Sequence, residues 1–191
     1  KASDSKTATK SVTYASTYGT MPEPTRTGYT FAGWYTTASG GTKVTSTTSV
    51  TTTSNQTLYA HWTANTYSVS FDANGGGTVS TVLTVTYGGT YGTLPEPTRT
   101  GYTFAGWYTA ASGGTKVTST TTVGITDAQK LYAHWTINSY KVTISATNAT
   151  SNKASLNINY AGTGTVTITP NDGYYLSSVS CTNGYTTTAT T

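Results

Sequence analysis

The stretch LPEPTRTGYTFAGWYTAASGGTKVTST, Leu94 to Thr120, decides how this chain is read. It occurs almost unchanged earlier in the chain as MPEPTRTGYTFAGWYTTASGGTKVTST, Met21 to Thr47. The offset that carries Met21 onto Leu94 is the period of the sequence. Working outward, residues 18–71 align with 91–144 at that offset without a gap, and LYAHWT recurs at Leu58 and Leu131. A fixed period marks one supersecondary unit used several times. Near-identity between copies suits a length-setting spacer better than a catalytic site.

The register divides the chain into residues 1–64, 65–137 and 138–191. The second repeat opens on YSVSFDANGGG, Tyr67 to Gly77. The first has no counterpart of that opening, because the same offset places Lys1 opposite Asn74. It therefore lacks its leading strand: either the sequence opens inside a repeat, or residues 1–10 are an irregular replacement. The third opens on YKVTISATNAT at Tyr140 and then loses the GYTFAGWY stretch.

Composition points to strands. Threonine makes up about a quarter of the 191 residues, with 16 Tyr, 4 Trp and few long aliphatics. β-Branched and aromatic side chains fit a pleated, half-buried surface. Charged residues reach only 8%, about a third of the usual share. The aromatic content supplies enough buried area for small cores and argues against disorder. The formal charge of +4 comes from scattered residues with no basic run, so nucleic-acid binding is not expected. No apolar stretch is long enough for a membrane helix, and no signal peptide starts at Lys1. The single Cys181 gives no internal disulfide.

Within a repeat, Tyr67–Phe71 and Tyr140–Ile144 alternate apolar and polar and read as strands with one buried face. Asp72-Ala-Asn-Gly-Gly is a turn leading to a second strand, Val82–Tyr87, so a hairpin is expected. Leu94-Pro-Glu-Pro must be extended and cannot lie in a central strand. Gly101–Tyr108 reads as a third strand, with Gly106 allowing close approach of a ring or backbone. Ser112-Gly-Gly turns the chain, and Lys130–Trp135 closes the repeat. In the third repeat Thr165–Thr169 alternates, followed by a Pro170-Asn-Asp-Gly turn. The joints, Thr63-Ala-Asn-Thr and Thr136-Ile-Asn-Ser, are short and free of glycine, which predicts a stiff array.

Phe71–Gly76 (FDANGG), Leu94–Thr109 (LPEPTRTGYTFAGWYT) and Leu131–Trp135 (LYAHW), with their copies, resemble the Listeria–Bacteroides repeat family of bacterial surface proteins. The resemblance covers about residues 11–140. It implies mainly β, small β-grasp-like (ubiquitin-like) repeats in tandem, with the last unit a divergent β repeat. It also implies an extracellular, surface-exposed spacer or adhesion module without a catalytic site or cofactor.

Trp34, Trp62, Trp107 and Trp135 are read as structural core, since a unit this small has few other groups to bury; the competing reading is stacking on sugar rings. Tyr35, Tyr108, Tyr174 and Tyr175 sit beside turns and are the candidate ligand contacts. His61 and His134 are repeat equivalents, and one histidine per unit without a Cys or acidic cluster makes no zinc site. Asp72 and Asn74 form a turn rather than a calcium loop, which wants six to eight oxygens. Glu23 and Glu96 are copies of each other in Pro-flanked loops, not an acid/base pair. No nucleophile triad or phosphate loop is supported. Lys43 and Lys116 are covalent cross-link candidates by residue type only, and Asn55 and Asn148 sit in glycosylation sequons. The expected role is a stalk or spacer that contributes to adhesion. Two alternatives are a filament subunit sharing strands with other copies of itself, and an adhesin for a host-surface protein or glycan.

Overall fold

A computed structural model of the chain describes residues 8–178. Among them there is no helix, and twelve strands follow one another. In the first repeat these are β1 (Tyr29–Tyr35), β2 (Lys43–Val44) and β3 (Tyr59–Ala64). The second contributes β4 (Thr66–Asp72), β5 (Leu83–Thr86), β6 (Tyr102–Tyr108), β7 (Lys116–Val117) and β8 (Gln129–Ile137). The third contributes β9 (Ser139–Thr143), β10 (Ala149–Ser151), β11 (Ser155–Asn159) and β12 (Ile168–Pro170). The described residues are all β, as the composition implies. Of the described residues, those up to Pro97 with Ala105–His134 form one compact unit, and Thr98–Phe104 with those from Trp135 onward form another.

The second repeat builds a five-stranded sheet in the order β5-β4-β8-β6-β7. β4 and β5 are the expected antiparallel hairpin, with Tyr67 opposite Val85. On its other edge β4 runs parallel to β8, Phe71 opposite Leu131. Alternation places Val69 and Phe71 on one face, where both are buried, together with Val85, Trp107, Val117, Val123, Leu131 and Ala133. Full burial of each large apolar side chain contributes roughly 1.5–3 kcal/mol. The Asp72–Gly76 turn is tied down locally. Asn74 has a φ of 46°, and its N–H donates to the Asp72 carboxylate at 2.9 Å. Its side-chain amide donates to the carbonyls of Ala111 (3.1 Å) and Ala133 (3.0 Å). This is a structural turn, and asparagine suits it because it tolerates positive φ.

The first repeat has a three-stranded sheet, β2-β1-β3. Its buried residues, Tyr18, Val44 and Val50, with Met21 and Leu58 packed against them, correspond to Tyr91, Val117, Val123, Leu94 and Leu131 of the second. No described strand takes the place of β4 here.

The third repeat keeps the leading hairpin. β9 and β11 pair antiparallel with Ser139 opposite Asn159 and Tyr140 opposite Ile158, which is the β4–β5 register moved on by one period. Beyond it the order changes. The alternating run at Thr165–Thr169 is strand only from Ile168, where β12 pairs with β10. The residues before it, Ala161 to Thr167, lie outside any strand, and alternation alone supplies no neighbouring strand to pair with.

Candidate functional site at the repeat joints

The two joints between consecutive repeats are built alike. At the first, Gly28 carries a φ of 76° and its carbonyl accepts the N–H of Asn65 at 2.9 Å. The Asn65 carbonyl in turn accepts the N–H of Tyr87 at 2.9 Å, and the Thr30 hydroxyl donates to Asn65 Oδ1 at 2.6 Å. One linker residue is thus held through its backbone on both sides and through its side chain. The Tyr87 ring lies over Gly28, so closely that a Cβ there would run into it. Tyr29 meets the same ring edge-on at 5.5 Å. Arg26 stacks its guanidinium over Tyr29 at 3.8 Å.

Every part returns one period later. The N–H of Asn138 donates to the Gly101 carbonyl (2.9 Å), and that of Tyr160 to the Asn138 carbonyl (2.8 Å). Thr103 donates to Asn138 Oδ1 at 2.7 Å. The Tyr160 ring covers Gly101, whose φ is again 76°. Tyr102 approaches Tyr160 at 6.4 Å, with Arg99 over it at 3.8 Å. The third repeat has lost most of the shared sequence, yet it keeps Tyr160. It also keeps positive φ at the next residue, where Ala15, Gly88 and Ala161 correspond.

Parts of the clasp also stand apart from these two joints. Tyr14, the counterpart of Tyr87, is 63% exposed. Gly173 and Tyr174 repeat the corner of Gly101 and Tyr102, since the Tyr174 N–H bonds to Asn171 at 3.0 Å as that of Tyr102 bonds to Arg99 at 3.0 Å.

The singled-out aromatics occupy varied settings. Trp107 is buried against Phe71 at 4.7 Å, and its indole donates to the Pro95 carbonyl. Trp34, Trp62 and Trp135 are half-buried; Phe31 lies between Trp34 and Trp62 in edge-on contact with each, and Phe104 meets Trp135 in the same way. Tyr35 and Tyr108 are half-buried, each with one face stacked at 3.9 Å on its histidine, His61 or His134. Each imidazole Nε2 lies 2.9 Å from a backbone carbonyl, Thr37 or Ala110. Tyr174 and Tyr175 are exposed, Tyr175 by 85%. Gly33 and Gly106 make room for the stems of Lys43 and Lys116, rather than for a ring or a backbone. Cys181 lies outside the described residues.

The joint residues were legible only in part. Asn65 and Asn138 fall in the short linkers, but nothing local marks their bonding. The available signal was the recurrence of Tyr at 14, 87 and 160, and of Gly-Tyr at 28 and 101, on one period.

A family model described as the Listeria-Bacteroides repeat domain matches residues 2–61 and 67–134. The chain is 44% identical over 93 residues to Internalin H of Listeria monocytogenes serovar 1/2a, covering 49% of this chain and 16% of that protein. It is 32% identical over 155 residues to a protein of Evansella cellulosilytica named "Putative membrane protein", covering 81% of this chain and 23% of that one. The chain spans less than a quarter of the length of either relative.

Proposed function

Because the chain belongs to the Listeria–Bacteroides repeat domain family, we propose that it is a non-enzymatic stretch of a bacterial surface protein, outside the cell, where it sets the spacing between other parts. The observation that carries this reading is the joint: the same glycine, asparagine and tyrosines recur at both linkers with the same bonds. A joint that engages the linker backbone on both sides restricts rotation about it, and restricted joints turn a string of small domains into a spacer of defined reach. Adhesion follows as a consequence of reach, with the contact made by other parts of the longer protein.

Spin labels test this directly. Placed by Ser39→Cys and Ser112→Cys in a Cys181→Ser chain, they report the separation of equivalent exposed loops of the first two repeats. A narrow distance distribution is expected, broadening in Tyr87→Ser. A distribution already broad in the parent chain would remove the spacer reading.

A further inference from the structure

Among the described residues one asparagine precedes a glycine: Asn74, followed by Gly75. That pair has a chemistry of its own. The nitrogen of a following glycine, unhindered by a Cβ, attacks the side-chain amide carbon of asparagine more readily than that of any other residue. Whether it does so depends on what holds the amide. Both hydrogens of the Asn74 side-chain amide are engaged by main-chain carbonyls, Ala111 at 3.1 Å and Ala133 at 3.0 Å. An asparagine amide has two such donors, so neither is left over. The backbone N–H of Asn74 is held by the Asp72 carboxylate at 2.9 Å, and the Gly76 N–H closes the same turn onto the Ala73 carbonyl at 2.9 Å.

The two carbonyls belong to different parts of the second repeat. Ala133 lies in β8, wholly buried, one residue past the last β4–β8 pair, Asp72 with Tyr132. Ala111 lies in the loop between β6 and β7. One amide thus latches the turn after β4 to two segments that are distant in sequence. The third repeat offers a contrast. Asn148 has a φ of 53°, close to the 46° of Asn74, but Ala149 follows it, so the bend recurs there without the reactive pair.

We infer that Asn74 is a latent deamidation site, guarded while this latch is closed, and that its reaction turns the latch into a repulsive contact. The step needs only water. The Gly75 nitrogen gives its proton to solvent and bonds to Asn74 Cγ; the Cγ–Nδ2 bond breaks, and the amide nitrogen takes up a proton and leaves as ammonia. The succinimide ring so formed adds one water and opens to aspartate or, through its other carbonyl, to isoaspartate. To meet the Gly75 nitrogen the side chain must leave both carbonyls, so the folded turn reacts only when it opens. Gly75 is exposed, and water reaches the ring. The product carboxylate has no hydrogen to donate. It sets an acceptor against two carbonyl oxygens, and both bonds are lost. Isoaspartate also lengthens the main chain within the turn, against the spacing that the Asp72 and Ala73 bonds set. The change runs one way, so the converted fraction records how long the turn has stood open. All its parts lie within the second repeat, and it stands independently of the spacer reading, which concerns the joint.

The whole chain is aged in mildly alkaline buffer, folded and in guanidinium chloride, and position 74 is followed by peptide mapping that resolves asparagine, aspartate and isoaspartate. Asn183, which also precedes a glycine, falls in a different tryptic peptide and is counted apart. Position 74 converts in denaturant, and at least about tenfold more slowly in the folded chain. Asp72→Ala, which removes one bond of the turn, speeds conversion of the folded chain. In the converted chain, amide hydrogen exchange at residues 71–74 and 132–134 is faster by about tenfold or more, while amides of β1 and β11 exchange as before. Asn74→Asp shows that faster exchange without ageing, and serves alone if Asp72→Ala does not fold. Asn74→Gly keeps a residue suited to positive φ but has no amide to react, and its exchange does not change with age. The inference is overturned if folded and denatured chains convert at the same rate, if position 74 does not convert in denaturant, or if the converted chain keeps its exchange protection.

Discussion

Tyr91 shows how much one hydroxyl decides inside a small core. Its ring is buried and its hydroxyl donates to Gln129 Oε1 at 2.6 Å; in the first repeat Tyr18 and Gln56 make the same bond. Burial pushes the Tyr91 phenol above its ordinary value near 10. The folded chain therefore holds this proton to higher pH than the unfolded chain does. Below pH 10 both states are protonated and the contribution to stability is whole. As pH rises past 10 the unfolded state gives up its proton first, so stability falls until the folded group ionises too. Tyr91→Phe loses about 1 kcal/mol at neutral pH with the hydrogen bond. It also escapes the alkaline penalty, so its deficit against the parent narrows as pH rises past 10. Urea midpoints of both proteins across that range check this; a constant deficit would contradict it.

At the scale of strands and joints, the sequence was most informative where partners are adjacent. Alternation in Tyr67–Phe71 and the Asn-Gly turn after it are enough to draw the β4–β5 hairpin, because strands and turn all lie between Thr66 and Thr86. The parallel pairing of β4 with β8 was not legible. Val69 and its partner Gln129 are separated by β5, β6 and β7, and alternation says which face is buried but not which strand is the neighbour. The two-residue strands β2 and β7 are too short to carry a pattern. The joint was hidden for another reason: its main-chain bonds are made by backbone groups of Gly28, Asn65 and Tyr87, which every non-proline residue possesses. Its strictest sequence requirement is glycine, needed both for positive φ and for the ring above it. Gly101→Ala and Gly28→Ala should each cost on the order of 1–3 kcal/mol from backbone strain alone, with further loss from displacing the tyrosine. Chemical unfolding of each variant measures it, and an effect below a few tenths of a kcal/mol would show that the clasp is slack.

Across the whole molecule, the described residues of the two near-identical repeats differ in how they are covered, so within this polypeptide their stability should differ as well. In a polypeptide of these 191 residues, no described strand takes the place of β4 in the first repeat, so the burial that Val69 and Phe71 provide in the second, roughly 3–6 kcal/mol, has no described counterpart there. Amides of β1 should then exchange faster than the equivalent amides of β6, by roughly two orders of magnitude or more. Equal rates would mean that the absent pairing is compensated within this polypeptide. In repeat proteins with nearest-neighbour coupling, stability is a sum over units and their interfaces, so unequal units give unequal protection.

The recurrence of each clasp on one spacing also bears on how such a gene changes. A crossover between copies in register inserts or removes a whole period and leaves a Gly-Tyr corner, an asparagine and a covering tyrosine on either side of the seam. A slip of a single residue inside a strand instead turns the rest of that strand's buried face outward. Length is therefore free to drift in steps of one period, and descendants of this gene should differ in copy number far more readily than in spacing.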